Sequence, residues 1–290
     1  MGWPLVLPAI VAVVVGLSAG RLQRHLSPAV AAAAFAAFAG LAAVAVSGAV
    51  VVLAALFVAQ LPWVSENLEW CRALASNHSL PTWLGAGLLL GLVAMAAGVG
   101  RRRPMRRLLF PLGTAELVVL PSDEPLAYAV PGRPGHIVVS AGMLRRLDDD
   151  ERRVLLAHER AHLRRSHHRY VFVADLAAGA VPMLRPLRER VRFATERWAD
   201  EEAAAVVGDR RLVARAICRA ALVQHDSGRA LALAELGVPA RVDAMLDAGS
   251  VSPRRVTAAS AGAALITVAL SSTWQLHHLA AFASHVCGIG

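Results

Sequence analysis

Four uncharged, apolar runs constrain this chain more than anything else in it: about Pro4–Gly20, Ala29–Gln60, Trp83–Gly100 and Val256–Trp274. A helix rises about 1.5 Å per residue, so runs of roughly this length reach across a hydrocarbon core of about 30 Å. The second run is longer than that, which leaves room for tilt or for an extension beyond the bilayer at either end. With 56% apolar residues overall, the reading is an α-helical integral membrane protein with about four transmembrane helices.

Charge gives these helices an orientation. Arg21 and Arg24 follow the first run, Arg101, Arg102, Arg103, Arg106 and Arg107 follow the third, and Arg254 and Arg255 precede the fourth. Arginine-rich connections stay in the cytoplasm. The loop from Leu61 to Pro81 sets Arg72 against Glu66 and Glu69, and no arginine follows Trp274, so both face outward. A cleaved signal peptide would carry its positive charge before the apolar stretch, and here the charge follows, which favours a retained first span. Three regions result: a membrane region with three transmembrane helices (1–107), a cytosolic domain (108–255), and a last transmembrane helix with a short outer tail (256–290). The expected location is the cell's plasma membrane, multi-pass, with the charged domain facing the cytoplasm.

The net charge of +9 does not imply nucleic acid. Its arginines cluster beside apolar runs and on no polar face interleaved with aromatics, so lipid contact is expected and direct nucleic-acid binding is not. Cys71, Cys218 and Cys287 are too few and too scattered for a cysteine metal site. Cys71 and Cys287 both fall on the outer side, where they either pair as a disulfide or stand as two unpaired residues.

Within the cytosolic segment, AELVVL (Ala115–Leu120), Ala127–Val130 and HIVVS (His136–Ser140) read as short strands separated by Pro and Gly, and a small antiparallel sheet is expected. GHIVVS or LAYAV would form its exposed edge, where an extended substrate could pair. Then comes LDDDERRVLLAHERAHLRRSHH, in which Asp148 is a candidate N-cap and Glu151 completes a capping box. On the helix that follows, His158 and His162 stand four residues apart on one face, spaced to share a metal ion, with Glu159 beside them as a general base: an HExxH pattern.

A catalytic zinc site needs a third protein ligand. The best candidate is Glu196 in FATERWADEEAAA, which shares a helical face with Asp200; on the pattern alone it is either a ligand or a solvated carboxylate. His167 and His168 fall out of phase with His158 and His162 and are expected to point away. His225, Arg219 and Arg211 are weak candidates for an oxyanion donor. Tyr170–Met183 is apolar but short and interrupted, so it reads as a core or interfacial helix; if it spanned the membrane, Glu196 could not reach His158.

HERAH, the approach LDDDERRVLLAHE, the strand GHIVVSAGML and the later ERWAD together resemble the integral-membrane zinc metallopeptidases of the BlaR/MecR type, gluzincins related to HtpX and the CAAX prenyl proteases. The resemblance covers about Ala115–Ala205. It implies an α+β zincin-like domain, Zn2+ held by His158, His162 and Glu196, Glu159 as catalytic acid/base, and Asp200 as hydrogen-bond partner of a ligand. It further implies a protein or peptide substrate, with a cytosolic transcriptional repressor as the BlaR/MecR-like target and membrane-protein quality control as the HtpX-like alternative; a noncatalytic signalling scaffold is a third reading. About sixteen residues follow Trp274, too few for the penicillin-binding sensor domain of the BlaR/MecR type.

Overall fold

The computed structural model describes residues 3–67, 81–100, 115–225 and 237–247. In chain order these form α1 (Trp3–Gln23), α2 (Pro28–Ala59), α3 (Pro62–Asn67), α4 (Thr82–Gly100), β1 (Leu117–Leu120), β2 (Ala127–Val130), β3 (His136–Ser140) and α5 (Ala141–Arg146). After them come α6 (Asp149–Arg164), α7 (His167–Ala180), a 3-10 turn at Pro182–Leu184, α8 (Arg185–Val207), α9 (Arg210–His225) and α10 (Val238–Leu246). The expected fourth span, Cys71, Cys287 and the arginines at 101–107 and 254–255 lie outside the described residues.

By length and composition, α2 and α4 are apolar enough to cross a membrane, while the described apolar part of α1 is the shorter stretch Ile10–Gln23. The two halves of α2 pack differently. Its N-terminal half, from Ala31 to Ala43, is buried against Ala174 and Ala177 of α7 and Leu187, Val191 and Ala194 of α8. Alanine at so many of these positions lets the helix axes come close. Further on, α2 runs beside α4, with Phe57 over Gly85 and Val50 near Gly91. The excess length of the second run is therefore packed among α7 and α8, continuous with the half that runs beside α4. At the end of α4, a Cβ on Gly98 would collide with the carbonyl of Gly179 in α7, so glycine permits this contact.

The sheet differs from the sequence expectation. Its order is β1-β3-β2, with β1 parallel and β2 antiparallel to β3. The uninterrupted Ile137–Val138–Val139 run is fully buried, as a central strand covered on both faces demands. GHIVVS therefore cannot be an edge; β1 and β2 are the two outer strands, and β2 carries the LAYAV run.

Asp148 caps α6 through the foreseen box: Glu151 N–H donates to Asp148 Oδ1 at 2.8 Å, and Asp148 N–H to Glu151 Oε2 at 3.0 Å. Such a cap contributes about 1 kcal/mol. Past the end of α6, Ser166 takes the left-handed conformation (φ 52, ψ 42) and α7 leaves in a new direction. Over Tyr170–Met183 the chain is α7 as far as Ala180, with Ala174, Ala177 and Ala178 buried and Phe172, Val173 and Leu176 exposed, and then the Pro182 turn. From there α8 doubles back, tied to α7 by Arg192, whose Nη2 donates to both oxygens of Asp175 at 3.0 Å. At the other end, Arg164 and Arg165 both bond Glu202 at 2.6–3.0 Å, fixing α6 against α8. The reversal of direction brings Glu196 to the histidines.

Candidate metal centre

Val154 and Ala157 of α6 pack into a cluster with Ala203 and Ala204 of α8 and Val213 and Ile217 of α9. One turn on from Val154, His158 faces a cleft of about 510 Å³ whose wall Val154 and Ile217 share. His158, Glu159, His162, Glu196, Asp200 and Arg241 line it, with the open edge of β2 (Ala127, Tyr128, Ala129) along one wall.

Three side chains converge there. His158 Nε2 and His162 Nε2 are 3.1 Å apart; Glu196 Oε2 is 3.4 Å from the first, and Glu196 Oε1 is 3.5 Å from the second. Ligands about 2.0–2.1 Å from a tetrahedral zinc stand about 3.3 Å from one another. The donor set also fits: two imidazoles and a carboxylate, which leave one position for water or substrate.

Asp200, one turn beyond Glu196, lies 3.0 Å from the other nitrogen of His158, Nδ1. A carboxylate there holds the proton on Nδ1 and so turns the free Nε2 into the cleft. Asp200 is 1% exposed, and its charge is balanced by Arg241, whose Nε and Nη2 donate to its two oxygens at 2.7 Å. Arg241 Nη1 also reaches Glu196 Oε2 at 3.1 Å. Sequence reasoning missed Arg241. Its signal was present: Val238, Val242 and Met245 make one apolar face of α10, and Arg241 stands on it. An arginine in a buried stripe calls for an acidic partner.

The charges are strongly coupled. Burial presses His158 down, but hydrogen bonds and charges from Asp200 and Glu196 outweigh it and raise its pKa to about 10 in the metal-free protein. For Glu196 burial acts upward and is outweighed by Arg241 and the two histidines, which hold it well below the usual carboxylate range. His162, without a carboxylate bonded to it, is lowered to about 4, chiefly by burial. Glu159 is raised to about 7, again chiefly by burial, with a backbone hydrogen bond from Ala129 among the opposing causes. A carboxyl group that titrates near neutrality is suited to taking and returning a proton.

His167 contradicts the helical-phase expectation. Its Nδ1 lies 3.0 Å from His162 Nδ1, and the residue is 1% exposed. Phase fails because the left-handed Ser166 interrupts the helix between them. His168 lines the cleft as well. Of the oxyanion candidates, Arg211 and Arg219 lie away from the cleft, lining a separate surface pocket with Arg219 Nε donating to the Arg146 carbonyl at 3.3 Å, and the side chain of His225 lies outside the described residues.

No solved structure matches the chain. A protease HtpX homologue from Desulforapulum autotrophicum is 35% identical over 89 residues, which is 30% of this chain and 29% of that protein. Another, from Aquifex aeolicus, is 35% identical over 83 residues, 27% of this chain and 26% of its own length. The chain thus spans well under a third of these curated relatives. The sequence profile of peptidase family M48 matches residues 102–261, a stretch that holds His158, Glu159, His162, Glu196, Asp200 and Arg241, and by that match over more than half its length the chain belongs to peptidase family M48.

Proposed function

We propose that the chain is a membrane-bound zinc endopeptidase of the HtpX type, acting on membrane proteins at a site facing the cytosol. The convergence of His158, His162 and Glu196 within ligand distance of one point, beside Glu159 and an open strand edge, carries this reading. Membrane residence rests on α2 and α4, and the cytosolic orientation on the arginine bias of the connections. Membership of M48 and the HtpX relatives favour this substrate class over the repressor cleavage of the BlaR/MecR type.

A zinc ion held by His158, His162 and Glu196 would supply the Lewis acid that polarises a scissile carbonyl and acidifies a water. The protein's own groups do the rest. β2 receives the substrate as an added strand, through backbone hydrogen bonds that tolerate many sequences. Glu159 removes a proton from the attacking water and delivers it to the leaving amine nitrogen. Asp200 and Arg241 keep His158 in the tautomer that presents Nε2 to the cleft.

Purified full-length protein in lipid nanodiscs tests the reading. One zinc per chain is expected in both wild type and Glu159→Gln, with cleavage of a misfolded membrane protein by the wild type alone. Absence of metal from the wild type would sink the peptidase reading. Cleavage of a DNA-binding repressor with membrane proteins left intact would favour the BlaR/MecR-like alternative.

A further inference from the structure

His162 presents Nε2 to the point where the ligands converge, so its proton resides on Nδ1. That N–H needs an acceptor. The carboxylate solution used for His158 is absent here: the hydrogen-bond partner at His162 Nδ1 is Nδ1 of His167, at 3.0 Å. A hydrogen bond between two imidazole nitrogens requires one lone pair and one proton. With the proton on His162, His167 is neutral and carries its own hydrogen on Nε2. That Nε2 is buried and has no hydrogen-bond partner, while the ring packs at 4.8 Å on the indole of Trp198. A histidine kept solely for packing has no reason to bury an unpaired polar atom, which costs of order 1–3 kcal/mol.

We propose that His167 is a positioning residue for the metal centre: its Nδ1 accepts the Nδ1–H of His162 and thereby fixes the tautomer and ring angle with which His162 faces the metal. The inference rests on the zinc reading above. The left-handed Ser166 belongs to the same device, because it turns α7 so that His167 comes back beside His162. The two histidine ligands are then held by chemically different partners, a charged carboxylate behind His158 and a neutral imidazole behind His162.

Two substitutions separate positioning from packing. His167→Leu keeps an apolar side chain of similar bulk but removes the acceptor; His167→Asn is smaller and polar but sets an oxygen near the position of Nδ1. Positioning predicts that transfer of zinc to a competing chelator speeds up by about 10–100-fold in His167→Leu and stays within a few-fold of wild type in His167→Asn. Packing predicts the reverse order, and that result overturns the proposal. Histidine-selective 15N NMR of the zinc-loaded wild type is independent of how either variant folds. It should find His162 protonated on Nδ1 and His167 on Nε2; His167 protonated on Nδ1, or on both nitrogens, also overturns the proposal. A wild type that binds no zinc removes the zinc reading together with this inference, whereas zinc held equally well by wild type and His167→Leu removes the inference alone.

Discussion

Arg241 grips Asp200 through two hydrogen bonds of 2.7 Å, joining helices that lie 41 residues apart in sequence. The pair is buried, and it holds the carboxylate that orients a metal ligand, so stability and metal affinity are coupled through it. Replacing Arg241 by Met leaves the buried Asp200 with His158 as its remaining partner and strips one charge from the pair, at a cost of about 3 kcal/mol. Arg241→Lys keeps the charge but loses the planar fork. Thermal unfolding of the metal-free protein should rank wild type above Lys above Met. Equal melting temperatures for all three would contradict the assigned role.

Asp200→Asn is the gentler cut at the same contact. The amide oxygen can still accept from His158 Nδ1, but the charge is gone and the partner Arg241 is left in excess. Zinc affinity should fall by about 10–100-fold, the range for lost partners of metal-bound histidines. Equilibrium competition with a chromophoric chelator measures it.

The pH dependence of the metal-free protein follows from His158. Its pKa is raised from 6.5 to about 10, so the folded state holds this proton more tightly than the unfolded chain. That stabilisation is fully present below 6.5 and is lost as pH rises toward 10. Glu159, raised to about 7, and His162, lowered to about 4, have largely finished titrating at pH 8. Between pH 8 and 10 the melting temperature in the presence of a chelator should therefore fall. Zinc binding runs the other way, because the metal displaces the proton on His158, so affinity should rise over the same interval with proton release. A melting temperature that climbs with pH in that window would contradict the assignment.

Much of the centre was legible because its determinants are local. His158 and His162 follow from helical spacing, the α6 cap from Asp148 and Glu151, and the pairing of Glu196 with Asp200 from one turn of helix. What escaped depends on tertiary direction. The order of the strands was open because an apolar run such as Ile137–Val139 fits a central strand in either pairing mode. Arg241 contacts residues in another element, and no spacing rule reaches across 41 positions. His167 was placed wrongly because helical phase was carried through Ser166, a residue whose left-handed conformation nothing in the serine itself demands.

That conformation makes Ser166 a site where stability and positioning can be separated. Ser166→Gly relieves the strain of a positive φ and should leave zinc binding unchanged, with the melting temperature equal or slightly raised. Ser166→Val adds a branched Cβ where the backbone tolerates it least and should cost about 1–3 kcal/mol. If the α6–α7 turn relaxes to escape that cost, His167 moves away from His162 and zinc exchange accelerates as in His167→Leu. A valine variant with native stability and native zinc exchange would mean that the turn is not fixed by this residue.

Gly98 tests whether α4 is docked on the catalytic domain. Its backbone lies against Gly179, leaving no room for a Cβ. Gly98→Val must push α4 off the end of α7, since the obstacle is backbone and cannot rotate aside. Overpacking of this kind typically costs about 1–3 kcal/mol. The contact lies on the far end of α7 from His167, so zinc affinity in nanodiscs should stay near wild type while the melting temperature drops. Paired cysteines at Gly98 and Gly179 would distort the same contact, so the cleaner readout is limited proteolysis of α4 in detergent, with faster cutting expected in Gly98→Val. Unchanged cutting and unchanged melting would show that α4 and α7 are not packed together in the native protein.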